Sequence, residues 1–426
     1  MRSDRPSLRR SLLEILRSLG PGLITGASDD DPSGIGTYSQ VGAQFGFAML
    51  WTTVFSYPLM VSIQEISARI GRVTGVGIAA NLRRHYPRRV MFCLVIAILV
   101  ANIINLGADI GAMGAACTLL VPWPIEVFVL GFGLLSFVLQ IFVPYTRYVR
   151  YLKWLTLALF AYVATTFVVH VPWPDVAIRT LHPEIHWSTS YVTALVAVLG
   201  TTISPYLFVW QASQEVEEVA CNPGEEPLRQ DPTQARKQLR RIRIDTLSGM
   251  AVSNLVAFAI MLTTAVTLRS AGRTDISSAA QAASALEPLA GKLAELLFSL
   301  GIVGTGLLAV PVLAGSAAYG VAEALRLKSS LEAKPEKAKA FYAVIAAATL
   351  IGLALNFVGA DPIRALYWAA VINGVIAAPI MVVIMHMGSS TKVMGKFVLP
   401  RTLKLFGWSA TSVMFAAAMG LFATLF

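Results

Sequence analysis

The sequence predicts an all-α polytopic membrane protein of eleven transmembrane helices, built as an inverted repeat of five and five plus one extra helix, with helices one and six broken. Three observations predict this. The 426 residues are 56% hydrophobic and only 14% charged, with a mean hydropathy of +0.65, too apolar for a soluble globular chain. Apolar windows of about 20 residues, the length that crosses a bilayer, recur along the whole chain. Two of them, five apart in order, carry proline and small polar residues at their centres.

The eleven windows lie near 21–45, 47–68, 91–120, 124–143, 151–172, 190–214, 243–268, 289–322, 340–358, 363–387 and 405–425. Ahead of them, Leu8, Leu12, Leu13, Ile15 and Leu16 opposite Arg9, Arg10 and Arg17 predict a short interfacial helix. Residues 1–17 run into the first span without a small-residue cleavage site, so no signal peptide is expected. The loops test the span count independently. With the N-terminus inside, all but five of the 34 Lys and Arg residues fall on inner segments; only Arg179, Arg269, Arg273, Lys292 and Arg364 are left outside. That bias predicts a cytoplasmic N-terminus and an outer C-terminus, as in a bacterial inner membrane. It also accounts for the net charge of +10 and argues against a nucleic-acid partner. Residues 1–426 then form a single transmembrane domain, expected to act as a monomer. Its parts are a cytoplasmic segment 1–19, a first repeat 20–172, a second repeat 190–387 and an extra helix 405–425. Cys93, Cys117 and Cys221 show no CxxC spacing, so neither a disulfide framework nor a thiolate metal site is expected.

Span one holds Asp29, Asp30 and Asp31 at mid-run. A carboxylate at the centre of a membrane-spanning helix costs roughly 2.5–3.5 kcal/mol on insertion scales, so such acids face a polar cavity and serve a ligand, ion or proton. Pro32 and the surrounding glycines predict a half-helix to about Ser28, an unwound Asp-Pro-Ser-Gly link and a second half-helix from Gly34. Acidic side chains and freed carbonyls at such a break make a cation site, with Asp31 the anionic ligand. Asp31 with Pro32 is also an ordinary N-cap pairing, but a cap alone does not explain its place midway through an apolar run. Asp29 and Asp30 read equally well as an extension of the site or an acidic outer vestibule, or as caps of the second half-helix paired with a neighbouring base.

Span six, Val198 to Gln211, has Thr201, Ser204, Pro205 and Tyr206 at its centre. Alone, Pro205 reads as well as a simple kink. Paired with the first break, it points to an inverted repeat with the ligand held between the two interruptions.

These residues resemble the Nramp family of divalent metal transporters. Gly20-Pro21-Gly22 followed by Asp31-Pro32-Ser33-Gly34 resembles the family's Gly-Pro-Gly lead and Asp-Pro-Gly-Asn site. Gln64 with Ala68-Arg69-Ile70-Gly71 and Thr74-Gly75 resembles the loop after its second span, and Gly107-Ala108-Asp109 the acidic motif of its third. Asn254 is similar to a polar position in span seven, and Val393-Met394-Gly395 to a Met-Gly motif before span eleven. The resemblance implies a leucine-transporter-like fold and a transported divalent cation. It also implies a metal site drawn from Asp31, Gly34, Thr201, Ser204 and Asn373, with Asp29, Asp30, Asp109, Tyr206 and Asn254 as possible accessories.

The departures from the family pattern set the expected selectivity. The family's Met-Pro-His in span six is here Ser204-Pro205-Tyr206, its Asn in span one is Gly34, and its Gln in span ten falls near Ala377, one turn after Asn373. Losing thioether and imidazole leaves oxygen donors, which suit Mg²⁺, Ca²⁺ and Mn²⁺. A hard, roomy site that retains water suits Mg²⁺ best, with Mn²⁺ next. The pattern resembles the Nramp-related magnesium transporters. Its proton route is also thinned: Asp109 is present, but the second acid falls at Ala112 and the two histidine positions at Tyr206 and Gln211. Transport without obligatory proton coupling is therefore expected.

Other residues read as background. Gln214, Glu215, Glu217 and Glu218 are expected to form a solvated helix end rather than an exit path, and the five histidines lack metal-ligand spacing. No nucleotide-binding loop or catalytic triad is present, so neither an enzyme nor an ATP-driven pump is expected, and no cofactor beyond the transported ion. The runner-up reading is an organic-solute symporter of the same fold, whose first break would be free of three adjacent acids.

Overall fold

The computed structural model describes residues 26, 29–143, 155–331, 333–359 and 361–425. The predicted interfacial helix over 8–17 and nearly all of the first half-helix of span one lie outside the described residues, as do Arg147, Arg150 and Lys153.

Helix α1 (Pro32–Phe45) begins with Pro32 at its first position and Asp31 as N-cap, so the break expected in span one is present where proline removes a backbone donor. Gly46, at φ 61°, ends it, and the chain turns through 105° into α2 (Trp51–Thr74). Then follow α3 (Ile78–His85), α4 (Arg88–Cys117), α5 (Ile125–Phe142), α6 (Phe160–Val168) and α7 (Trp173–Leu181). Span six is two helices, α8 (Thr189–Thr202) and α9 (Pro205–Cys221), parted at Ile203-Ser204, again with proline opening the second half. After α10 (Ala235–Thr264) and a few short turns come α11 (Ala294–Ala324), α12 (Lys339–Leu355), α13 (Pro362–Ser389) and α14 (Arg401–Leu425). Among the described residues there are no strands.

Eight helical segments are long and apolar enough to cross a membrane, or ten if each of two bent pairs counts as one span. The sequence count of eleven treats α1 and α2 as separate spans. At 14 residues α1 is too short to cross alone. Leu130, Leu134 and Phe142 on α5 and Leu405, Phe415 and Met419 on α14 are exposed, as the lipid-facing sides of peripheral helices must be.

The packing pairs span one with span seven (α1 on α10) and span six with span two (α9 on α2). Each pair is the other with its members exchanged between halves, the pattern an inverted repeat produces. Across the bundle, α4 packs on α11, α12 and α13, and α8 on α13. Two apolar cores result, one containing Leu106, Leu199, Leu308 and Ala370, the other Ala108, Val198, Leu307 and Ala369. They meet at the level of those neighbouring residues, which is the depth of both breaks. The polar residues of the candidate site occupy that seam.

Candidate cation site

Asp31 is almost wholly buried, at 1% exposure. Its Oδ1 accepts the Ser33 hydroxyl at 2.7 Å and the Gly34 amide at 2.8 Å, the ordinary N-cap of α1. The cap uses one oxygen only. Oδ2 accepts the Asn105 amide of α4 at 2.9 Å and the Tyr206 hydroxyl of α9 at 3.2 Å. Asn373 of α13 donates to Asn105 Oδ1 at 3.3 Å. One carboxylate thus ties span one to spans three and six, and through Asn105 to span ten. Both half-helices α1 and α9 start here.

Of the predicted ligands, Asp31, Tyr206 and Asn373 belong to this network. Gly34 enters as a backbone donor. A Cβ there would lie 3.1 Å from Thr201 Oγ1 and 3.3 Å from the Tyr38 ring, so Thr201 and Tyr38 fill the place that an asparagine side chain would take. At Gly34, therefore, the space an asparagine would leave is taken up in this conformation. Ser204 is buried, but its hydroxyl turns back to the Thr201 and Gly200 carbonyls at 2.7 and 3.1 Å. Among the described residues no three His, Cys, Asp or Glu side chains converge to hold a metal ion.

The neighbouring acids form a second polar cluster. Ser253 of α10 donates to Asp29 Oδ2 at 2.6 Å and lies 3.1 Å from Asp30 Oδ1. Asp29 and Asp30 are 1% and 4% exposed, so they form no open vestibule here, and no base pairs with them among the described ion pairs. Asn254, predicted as the polar position of span seven, instead donates to the Thr53 carbonyl of α2 at 2.7 Å. Its neighbour Ser253 faces the acids because α10 meets span one at Gly26: a Cβ on Gly26 would sit 2.4 Å from the Gly249 carbonyl oxygen. Asp109 is buried, and neither of its oxygens bonds to a side chain among the described residues.

The end of span six departs from expectation. Glu215 is fully buried rather than solvated, held by Arg241 at 2.5 Å, and Glu218 pairs with the same arginine at 3.2 Å. The following loop causes this. Its Leu228 and Arg229 amides bond to the Arg72 and Val73 carbonyls at 3.1 and 3.2 Å, and its Glu225 pairs with buried Arg72 at 2.7 Å. The loop therefore covers the helix end.

Asn105 and Ser253 escaped the sequence reading. Asn102, Asn105 and Asp109 do share one helical face of span three, at i, i+3 and i+7, and that spacing was the available signal for Asn105.

Two helix breaks facing each other around buried acids define a class, the polytopic helical membrane protein with a transporter-type broken-helix core. A family model described as Nramp, natural resistance-associated macrophage protein-like, matches residues 22–424, and the chain belongs to that family. It is 26% identical over 417 residues to the divalent metal cation transporter MntH of Klebsiella pneumoniae subsp. pneumoniae, covering 97% of this chain and 95% of that protein. With the MntH of Aeromonas hydrophila it shares 26% over 299 residues, covering 68% and 70% of the two chains. The structure superposes on an Eremococcus coleocola manganese transporter with a TM-score of 0.77 at 17% identity, covering 97% of this chain and 87% of that one. A likeness of fold alone extends to Mhp1, a nucleobase-cation-symport-1 family transporter, with a TM-score of 0.58 at 12% identity over 96% and 93% of the chains.

Proposed function

We propose that this protein imports a hard divalent cation across the membrane, Mg²⁺ first and Mn²⁺ second, without obligatory proton co-transport. The observation that carries the reading is the set of buried carboxylates, Asp29, Asp30 and Asp31 at the first break and Asp109 of span three, none of which is paired with a basic side chain among the described ion pairs. Buried charge of one sign costs several kcal/mol per ion unless compensated, and a transported cation supplies that compensation. The MntH relatives, named as divalent metal cation transporters, support the cargo class.

Preference for a hard ion rests on the donors around Asp31: hydroxyl, amide, phenol and backbone, with no thioether among its hydrogen-bonded neighbours. Independence from protons rests on the lack of a relay. All five histidines are exposed, at helix ends or loops, and among the described residues Asp109 has no side-chain hydrogen-bond partner to pass a proton on. The protein acts as a transporter rather than an enzyme, holds no resident cofactor, and works as a monomer without nucleic acid. It sits in a bacterial inner membrane with its N-terminus cytoplasmic and C-terminus outside, and its repeats span 20–172 and 190–387. The test is uptake by proteoliposomes offered Mg²⁺, Mn²⁺, Ca²⁺ or an amino-acid mixture. Saturable Mg²⁺ entry exceeding that of Mn²⁺ is expected; uptake of amino acids but of no metal would overturn the reading.

A further inference from the structure

The Asp31 carboxylate is saturated in this conformation: each oxygen already accepts two hydrogen bonds. A cation approaching it meets hydrogens pointing the wrong way, so binding requires at least one donor to leave. Asn105 is the donor with somewhere to go. An ionised carboxylate only accepts, so Asn105 Nδ2 faces Asp31 and its Oδ1 faces Asn373 Nδ2. Asn373 Oδ1, in turn, is buried with no hydrogen-bond partner among the described residues. A buried amide oxygen left unsatisfied costs about 1–3 kcal/mol.

Resting on the proposed cation transport, we infer that Asn105 is a metal ligand that switches from donor to acceptor by rotation of its amide as the ion arrives. Rotation by half a turn places Oδ1 where Nδ2 was and turns Nδ2 toward Asn373. Asn373 then turns its own amide to offer its orphaned Oδ1, so the pair keeps one mutual hydrogen bond in either state. Asn373 is thus a positioning residue for Asn105 and does not itself touch the ion.

The spacing favours Mg²⁺. In the rotated state the Asn105 oxygen stands 2.9 Å from Asp31 Oδ2, the distance its nitrogen now holds. Adjacent ligands of an octahedral ion at about 2.0–2.1 Å lie roughly 2.9 Å apart, whereas ligands at about 2.3–2.6 Å around Ca²⁺ lie roughly 3.3–3.7 Å apart in the same geometry. Asp31 and Asn105 therefore present one edge of a Mg²⁺ octahedron without moving their backbones.

The test is Mg²⁺ titration calorimetry on the full-length purified protein, comparing wild type, Asn105→Leu, Asn105→Asp and Asp31→Asn. Asn105→Leu removes the ligand oxygen and should weaken Mg²⁺ binding by about 10–100-fold. Asn105→Asp offers oxygen at the same place but cannot donate to Asp31, and should bind at least as tightly as wild type. If Asn105 merely orients Asp31 by donating to it, Asn105→Asp will fail as Asn105→Leu does, and the inference is overturned. Wild-type affinity in Asn105→Leu overturns it as well. Should neither substituted chain fold, infrared difference spectra of wild type on adding Mg²⁺ decide. A shifted side-chain amide carbonyl band supports ligation, and an unshifted one refutes it. Asp31→Asn separates the two readings: if wild type binds Mg²⁺ and this variant does not, transport stands whatever the Asn105 series shows. A wild type that binds no divalent ion removes both.

Discussion

Asp31→Asn removes one charge and very little else. Asparagine caps a helix as well as aspartate, so the bond from the Gly34 amide, now 2.8 Å, is kept. With the capping oxygen kept, the side-chain nitrogen faces the Asn105–Tyr206 pair, losing two acceptor contacts worth about 0.5–1.5 kcal/mol each. Removing a buried charge offsets part of that loss, so the folded protein should survive. For the ion the balance is different. A divalent cation about 2.1 Å from a unit negative charge gains roughly 16 kcal/mol at an effective dielectric of about 20. If desolvation cancels three quarters of this, about 4 kcal/mol remains, close to a thousandfold in affinity. The assay is saturable Mg²⁺ uptake by proteoliposomes, with size-exclusion profile and thermal stability as folding controls. The variant should run as wild type and transport nothing measurable. A folded Asp31→Asn that transports near the wild-type rate refutes the assignment of Asp31 as anionic ligand.

Other substitutions probe the surroundings. Ser204→Met puts a thioether at the second break and frees the Gly200 and Thr201 carbonyls that Ser204 now occupies; the Mn²⁺ or Cd²⁺ over Mg²⁺ preference should rise in competition uptake, and an unchanged metal ranking counts against the hard-site argument. Ser253→Ala strips Asp29 and Asp30 of their shared hydroxyl and should lower stability by about 1–3 kcal/mol, read as an earlier thermal transition; no shift would mean that the cluster is satisfied some other way. Gly26→Ala drives a methyl to 2.4 Å from the Gly249 carbonyl and should destabilise the chain by about 1–3 kcal/mol, whereas Gly224→Ala, with open space around it but φ 86°, should lose less. Equal losses would deny the close approach of spans one and seven.

The breaks were legible because proline acts through its own backbone: Pro32 and Pro205 each remove a donor and open a helix wherever tertiary structure places them. Asp31 was legible because its cost in an apolar span demands a use. Asn105 was not, since an amide in a membrane helix is cheap enough to need no special reason, and its partner lies 74 residues away. The choice between Asn254 and Ser253 turns on which face of α10 meets span one, and that is fixed by the Gly26–Gly249 contact, a tertiary fact. The burial of Glu215 was hidden for the same kind of reason. Nothing local announces that residues 222–234 fold back over the end of span six. The filling of the Gly34 position was hidden because a deleted side chain allows neighbours to close in, as Thr201 and Tyr38 do there.

The central claim is that a divalent ion crosses through the Asp31 site under its own electrochemical gradient. Its direct test is metal entry and lumenal pH followed together in liposomes loaded with a Mg²⁺-sensitive and a pH-sensitive dye, at an imposed inside-negative potential. A divalent ion gains about 4.6 kcal/mol per 100 mV, enough to drive uptake unaided. The account predicts Mg²⁺ entry that grows with the potential, leaves lumenal pH unchanged and vanishes in Asp31→Asn. Lumenal acidification that tracks Mg²⁺ entry and disappears with it in Asp31→Asn would contradict the account.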